Sequence, residues 1–216
     1  MIERDAAKAL GRAVTDLRAL LDDAEQYAQP LGKACGLIHR ALRGGGKLMA
    51  CGNGGSAADA AHFTAEFAGR YVLNRRGYPA IDLTADHSLL TALINDYPPA
   101  EVFARQVRAL GKRGDVLAVF TTSGNSANVK LALDEARQMR IKTVAFLGRD
   151  GGVCRGRADV QLIVPGVATA RIQELHQLLY HTICETLDPL LARADGRGST
   201  AGGAKNRRAA VGSAAT

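Results

Sequence analysis

The chain has 216 residues, 47% of them hydrophobic and 23% charged, which suits one well-buried α/β domain and is too short for two comfortable ones. No apolar run approaches the roughly 18 residues needed to span a bilayer, so membrane insertion is not expected. The formal net charge of +7 invites nucleic acid as a partner, but residues 192–216 hold Arg193, Arg197, Lys205, Arg207 and Arg208 against Asp195, and only +3 remains for the rest, which argues against that partner.

The opening Met-Ile-Glu-Arg-Asp lacks the basic flank and apolar centre of a secretory signal, and a cytoplasmic location is expected. Apolar residues then recur with helical spacing from about Ala6 to Tyr27 and from Leu31 to Leu42, ending at Gly44-Gly45-Gly46, so two leading helices are predicted. Short apolar runs at Lys47–Gly52, Pro79–Thr84, Asp115–Thr121, Lys142–Leu147 and Asp159–Val164 alternate with helix-like stretches. Such runs suit strands covered on both faces, and the alternation predicts a doubly wound, mostly parallel five-stranded sheet flanked by helices. A last long helix is expected from Ala168 to about Asp188. After Ala194 the composition turns to Gly, Ala, Ser and Arg, which cannot bury enough surface to offset ordering entropy. One domain over 1–194 and a disordered basic tail over 195–216 follow. Cys35, Cys51, Cys154 and Cys184 lack CxxC or finger spacing and read as reduced, mostly buried thiols.

In a doubly wound sheet the ligand lies at the carboxyl ends of the strands. The first strand there meets Gly52-Asn-Gly-Gly-Ser56, where glycines admit a close ligand and the following helix, Ala57–Arg70, offers free amides to an anion. Taken alone, such a turn is as often structural. A second loop of the same kind, Thr121-Thr-Ser-Gly-Asn-Ser126, precedes the helix Ala127–Met139, and its hydroxyls can donate to phosphate oxygens without fixed charge. Neither loop contains Gly-Lys-Ser/Thr or GxGxxG, which disfavours ATP and NAD.

His62 and Glu66 lie four apart on one helical face, a spacing that suits joint metal ligation and equally suits a surface pair bonded to itself. The last helix sets Gln173, His176, Tyr180, His181 and Glu185 among core-like apolar residues, so these polar groups need partners. A satisfied histidine is the commoner reading for His176 and His181. A ketose–aldose isomerisation would need a base to move a proton between adjacent carbons and an acid for the oxygens, and Glu66 with a histidine would serve.

The stretch Cys51-Gly-Asn-Gly-Gly-Ser-Ala-Ala-Asp-Ala-Ala-His62 through Glu66 and Gly69-Arg-Tyr71 resembles the first signature of bacterial phosphoheptose (sedoheptulose 7-phosphate) isomerases, which are sugar-isomerase (SIS) domain proteins. Thr122-Ser-Gly-Asn-Ser-Ala-Asn-Val129, and Arg171-Ile-Gln-Glu-Leu-His176 followed by His181, resemble the other two. The resemblance spans the first helix to about Leu191. It implies conversion of sedoheptulose 7-phosphate to D-glycero-D-manno-heptose 7-phosphate through an enediol-like intermediate, with Glu66 and His181 as the proton-transfer pair. It also implies substrate contacts from Asn53, Gly54, Gly55, Ser56, Glu66, Gln173, and Asn95 and Asp96 after the middle helix, with Thr121, Thr122, Ser123 and Ser126 around the phosphate. One divalent metal per subunit, zinc as first choice, is implied on His62, Glu66, Gln173 and His181.

Thr121 stands where the family has serine, and keeps the hydroxyl. Gln173 and His181 are eight apart, about 12 Å along a regular helix. They lean together, the helix starts irregularly, or different subunits supply them; the tetramers of the family favour a site at a subunit interface. The alternative function is that of the non-catalytic DnaA initiator-associating adaptor of the same fold, against which the presence of both Glu66 and His181 argues. A sugar-phosphate-sensing regulator would bring a DNA-binding module, and no helix-turn-helix region is left over.

Overall fold

The computed structural model describes residues 1–194, and the tail expected over 195–216 lies outside the described residues. Helix α1 (Ile2–Leu21) leads through a 3₁₀ turn at Ala24–Tyr27 into α2 (Ala28–Arg43). There follow β1 (Leu48–Gly52), α3 (Gly55–Ala68), β2 (Ala80–Asp82), α4 (His87–Asp96), α5 (Val102–Leu110) and β3 (Val116–Thr121). The chain continues through α6 (Ala127–Gln138), β4 (Lys142–Gly148), β5 (Val160–Val164) and α7 (Thr169–Ala194).

The five strands form one sheet in the order β2-β1-β3-β4-β5 with every pairing parallel. All of β1 and β3 is buried, which is why their sequences are unbroken apolar runs. Alternate residues still serve different layers. Leu48, Ala50, Val116, Ala118, Phe120, Val144 and Phe146 join the core under α2, α3 and α7. Met49, Cys51, Leu117, Val119, Ala145 and Leu147 join the core under α4, α5 and α6. Strand order reverses between β1 and β3, so the crevice at their carboxyl ends is where a doubly wound sheet takes its ligand.

Helix α1 has no buried residue. Ala13, Leu17 and Leu20 are half-buried on one side, Leu20 packing against the core, whereas Leu10, Val14 and Leu21 are exposed.

Two expectations shift. Helix α7 does not stop near Asp188 but runs through Pro189 to Ala194. Proline within a helix costs about 3 kcal/mol, and the complete burial of Leu191 beside Leu187 and Ala192 returns a similar amount at about 1.5–3 kcal/mol per large apolar side chain. Asn95 and Asp96 are the last two residues of α4 rather than a loop after it.

Asp188 ties this far end of α7 to the segment after α3. Its carboxylate accepts from the amides of Val72 (3.0 Å) and Leu73 (2.7 Å) and from Arg75 Nε (2.8 Å). Arg75 donates on to the Glu66, Phe67 and Gly69 carbonyls. Both side chains are almost wholly buried, 2% and 3% exposed. Such a pair survives burial because its remaining donors and acceptors are also met.

Candidate active site

The two loops meet at the crevice. Beyond β1, Gly54 has φ 57° and ψ −123°, a conformation strained for any side chain, and it lets the backbone turn into α3. A Cβ at Gly55 would collide with the Gln173 amide, so the first turns of α7 rest on the head of α3. Asn53 and Asn128 exchange amide hydrogen bonds, 2.9 Å each way, and latch the β1–α3 loop to the start of α6.

At the end of β3 three hydroxyls converge. Thr121 Oγ1, buried, is 3.1 Å from Ser126 Oγ and 3.4 Å from Ser123 Oγ. Ser123 Oγ also accepts the Asn125 amide at 3.1 Å, and Thr122 is half-buried beside them. Ser126 is the N-cap of α6 and makes no side-chain cap bond, so its hydroxyl is not spent on the helix, and a helix start beside free hydroxyls suits an anion. Gly124, at φ 67°, packs against the Gly151 backbone, where any side chain would collide.

The ionisable cluster sits between α3 and α7. His62 Nε2 is 3.0 Å from Glu66 Oε1, and His181 Nε2 is 3.4 Å from His62 Nε2. One ligand atom from each of His62, Glu66 and His181 lies within 4.8 Å of the others. Two imidazole nitrogens and a carboxylate oxygen converging in this way fit zinc or a similar divalent ion. The Tyr180 hydroxyl is 2.9 Å from His62 Nδ1, and the Tyr71 ring stands 6.0 Å from His181. Burial, then the neighbouring His62, lower the His181 pKa, against the pull of Glu66. Burial likewise raises Asp59, one turn before His62, to about 6 despite the attraction of His62.

The predicted residues thus fall into four groups. His62, Glu66 and His181 come together, as do Thr121, Ser123 and Ser126. Gln173 stays with Gly55 at the head of α3, and because α7 is helical throughout, it lies about 12 Å along the axis from His181 in one protomer. Asn95 and Asp96 are exposed on the other face of the sheet and bond to each other at 2.8 Å. His176 is wholly buried and held on one side only: its Nε2 is 3.1 Å from the Leu147 carbonyl, its Nδ1 has no partner, and burial lowers its pKa to about 4, so the expectation of a fully satisfied histidine is met only in half. Asn128, Tyr180 and Arg75 were not singled out as site residues. Of these only Tyr180 carried a signal, as a polar group in a core-like helix.

Comparison with known proteins identifies the family. The SIS domain family matches residues 14–148. A phosphoheptose isomerase from Aliarcobacter butzleri is 51% identical over 164 residues, covering 76% of this chain and 87% of its own. The solved phosphoheptose isomerases of Neisseria gonorrhoeae (41% identity, TM-score 0.77) and Francisella tularensis (34%, TM-score 0.80) each cover 87% of this chain and 99% of their own. The chain therefore belongs to the phosphoheptose isomerase family of SIS-domain proteins and is an isomerase.

Proposed function

We propose that the protein converts sedoheptulose 7-phosphate to D-glycero-D-manno-heptose 7-phosphate. The observation that carries this reading is the meeting of Glu66 and His181 at His62, on a helix whose head is latched to a phosphate-type hydroxyl cradle. His62 lies seven residues beyond Gly55 on α3, about 10 Å along the axis. A substrate held by its phosphate at one place and reacting at the other must be long, and a seven-carbon chain is.

In this reading Thr121, Thr122, Ser123 and Ser126 hold the phosphate, and Asn53, Gly54, Gly55 and Ser56 line the sugar, with Asn95 and Asp96 as further contacts. Glu66 takes the proton from C1 of the ketose. The electron pair forms the enediol, and Glu66, after its proton has exchanged with water, delivers one to C2 while His181 relays the hydroxyl proton from O1 to O2. The lowered pKa of His181 keeps it neutral near pH 7, able to accept that proton and return it. A divalent metal, zinc first, would be held by His62, Glu66 and His181, with Gln173 completing the set across a subunit interface, and would stabilise negative charge on the sugar oxygens. A homotetramer goes with that interface, and the exposed Leu10, Val14 and Leu21 stripe of α1 supports self-association. No helix of the described residues is long and apolar enough to cross a membrane, and a cytoplasmic setting suits a phosphorylated sugar.

The test is conversion of sedoheptulose 7-phosphate by the purified protein beside Glu66→Gln and His181→Gln. Turnover by the wild type, lost in both folded variants, is the expected result. A folded, zinc-replete wild type without turnover would shift the reading to the initiator-associating adaptor.

A further inference from the structure

Resting on that metal reading, we propose that Tyr180 is a positioning residue for His62: its hydroxyl grips Nδ1 and so aims Nε2 at Glu66 and His181. The two sides of the ring are held differently. On one side, Nε2 is 3.0 Å from Glu66 Oε1 and 3.4 Å from His181 Nε2. On the other, Nδ1 has the Tyr180 hydroxyl at 2.9 Å.

The His62 side chain is 42% exposed, so packing alone does not fix its rotation. Tyr180 is the reverse, 0% exposed. Its ring is wedged between Phe63, with centroids 5.5 Å apart, and Phe120, edge-on at 6.0 Å. The hydroxyl is therefore a fixed point on a rigid core, and the imidazole is a loose group tied to it. Turning that ring over would exchange nitrogen for carbon at both positions and break the contacts on either side. A histidine ligand is ordinarily oriented by what its second nitrogen bonds. Here that partner is a phenol reaching out of the aromatic core.

A hydroxyl suits the role because it donates and accepts. While Nε2–H donates to Glu66, Nδ1 accepts from Tyr180 O–H. When Nε2 is bare toward a cation, the single ring proton sits on Nδ1 and donates to the Tyr180 oxygen.

Tyr180→Phe keeps the ring and its packing and deletes one hydroxyl. The affinity for zinc, measured by chelator competition on the purified wild type and variant, should fall about 10- to 100-fold. Thermal unfolding of the metal-free proteins should coincide, since a freed Nδ1 on an exposed imidazole can bond water. Ring-nitrogen NMR of metal-free protein should show one His62 tautomer in the wild type and a mixture in the variant. Equal zinc affinity in the two proteins would overturn the proposal. A wild type that binds no zinc would instead remove the metal reading, and the ring-nitrogen spectra would then decide: an unchanged His62 tautomer in Tyr180→Phe would overturn Tyr180's role, and a mixture would uphold it.

Discussion

Around the head of α6, the polar groups at the crevice are uncharged and come from six consecutive residues, Thr121 to Ser126, with a helix start behind them. Between α3 and α7 the groups are ionisable, and His62 and His181 are 119 positions apart in the chain. The first arrangement suits holding an anion that never changes its charge. The second suits moving protons. One is shaped by a local turn, and the other exists only because α3 and α7 pack side by side on the sheet. Damage to the cradle should therefore weaken binding, whereas damage to the cluster, or to what packs its helices, should remove reaction or fold.

The largest expected effect concerns the cluster. Stripping divalent metal with a chelator should lower kcat by about a thousandfold, since a Lewis acid at the reacting oxygens contributes several kcal/mol. Zinc should restore it. Full turnover by verifiably metal-free protein would remove the metal from the site.

Next comes the clamp that fixes the segment after α3 on α7. Arg75→Ala leaves Asp188 buried with its charge uncompensated, and unfolding stability in denaturant should fall by about 3–5 kcal/mol. A loss under 1 kcal/mol would mean that the Val72 and Leu73 amides suffice.

A comparable but pH-dependent effect belongs to His176, whose pKa is lowered from 6.5 to about 4 by burial. The unfolded chain takes up its proton first, so this contribution is complete above pH 6.5 and is lost as pH falls through about 4. The loss amounts to about 3 kcal/mol. Asp59 acts oppositely, because its raised pKa near 6 makes the folded state the better proton acceptor between about 4 and 6. The two partly cancel in the wild type. The informative quantity is the stability gap between wild type and His176→Phe, which should move about 3 kcal/mol in the variant's favour from pH 7 to pH 4. A gap independent of pH would show that His176 protonates freely in the fold.

The smallest effect is in the cradle. Ser126→Ala removes one hydroxyl that the proposed reading sets against a phosphate oxygen, and should raise KM about tenfold with kcat nearly unchanged, by the usual value of a hydrogen bond to a charged group. A fall in kcat with KM kept would mean that the cradle takes part in reaction.

Sequence legibility follows the same division. The strands were readable because parallel strands buried on both faces are continuous apolar runs, and no limit moved by more than about two residues. The hydroxyl cradle was readable because its parts are neighbours in the chain. His62 and Glu66 were readable as a pair through helical spacing, but spacing gives no hint that His181 joins them; that came only from resemblance to a family. The end of α7 was set too early, near Asp188, because the helix continues through Pro189 where Leu187 and Leu191 are buried. Asn128 and Tyr180 meet partners on other elements, the Asn53 amide and His62 Nδ1; a polar group in a core-like helix signals that Tyr180 needs a partner, but nothing in the sequence says which.

The most direct test of Glu66 as the base of the reacting cluster is conversion of sedoheptulose 7-phosphate in heavy water by wild type and Glu66→Gln, with the product aldose read by NMR. The expected result is product carrying deuterium at C2 from the wild type, and neither turnover nor deuterium incorporation with the folded variant. A Glu66→Gln protein that forms deuterated product at the wild-type rate would contradict it.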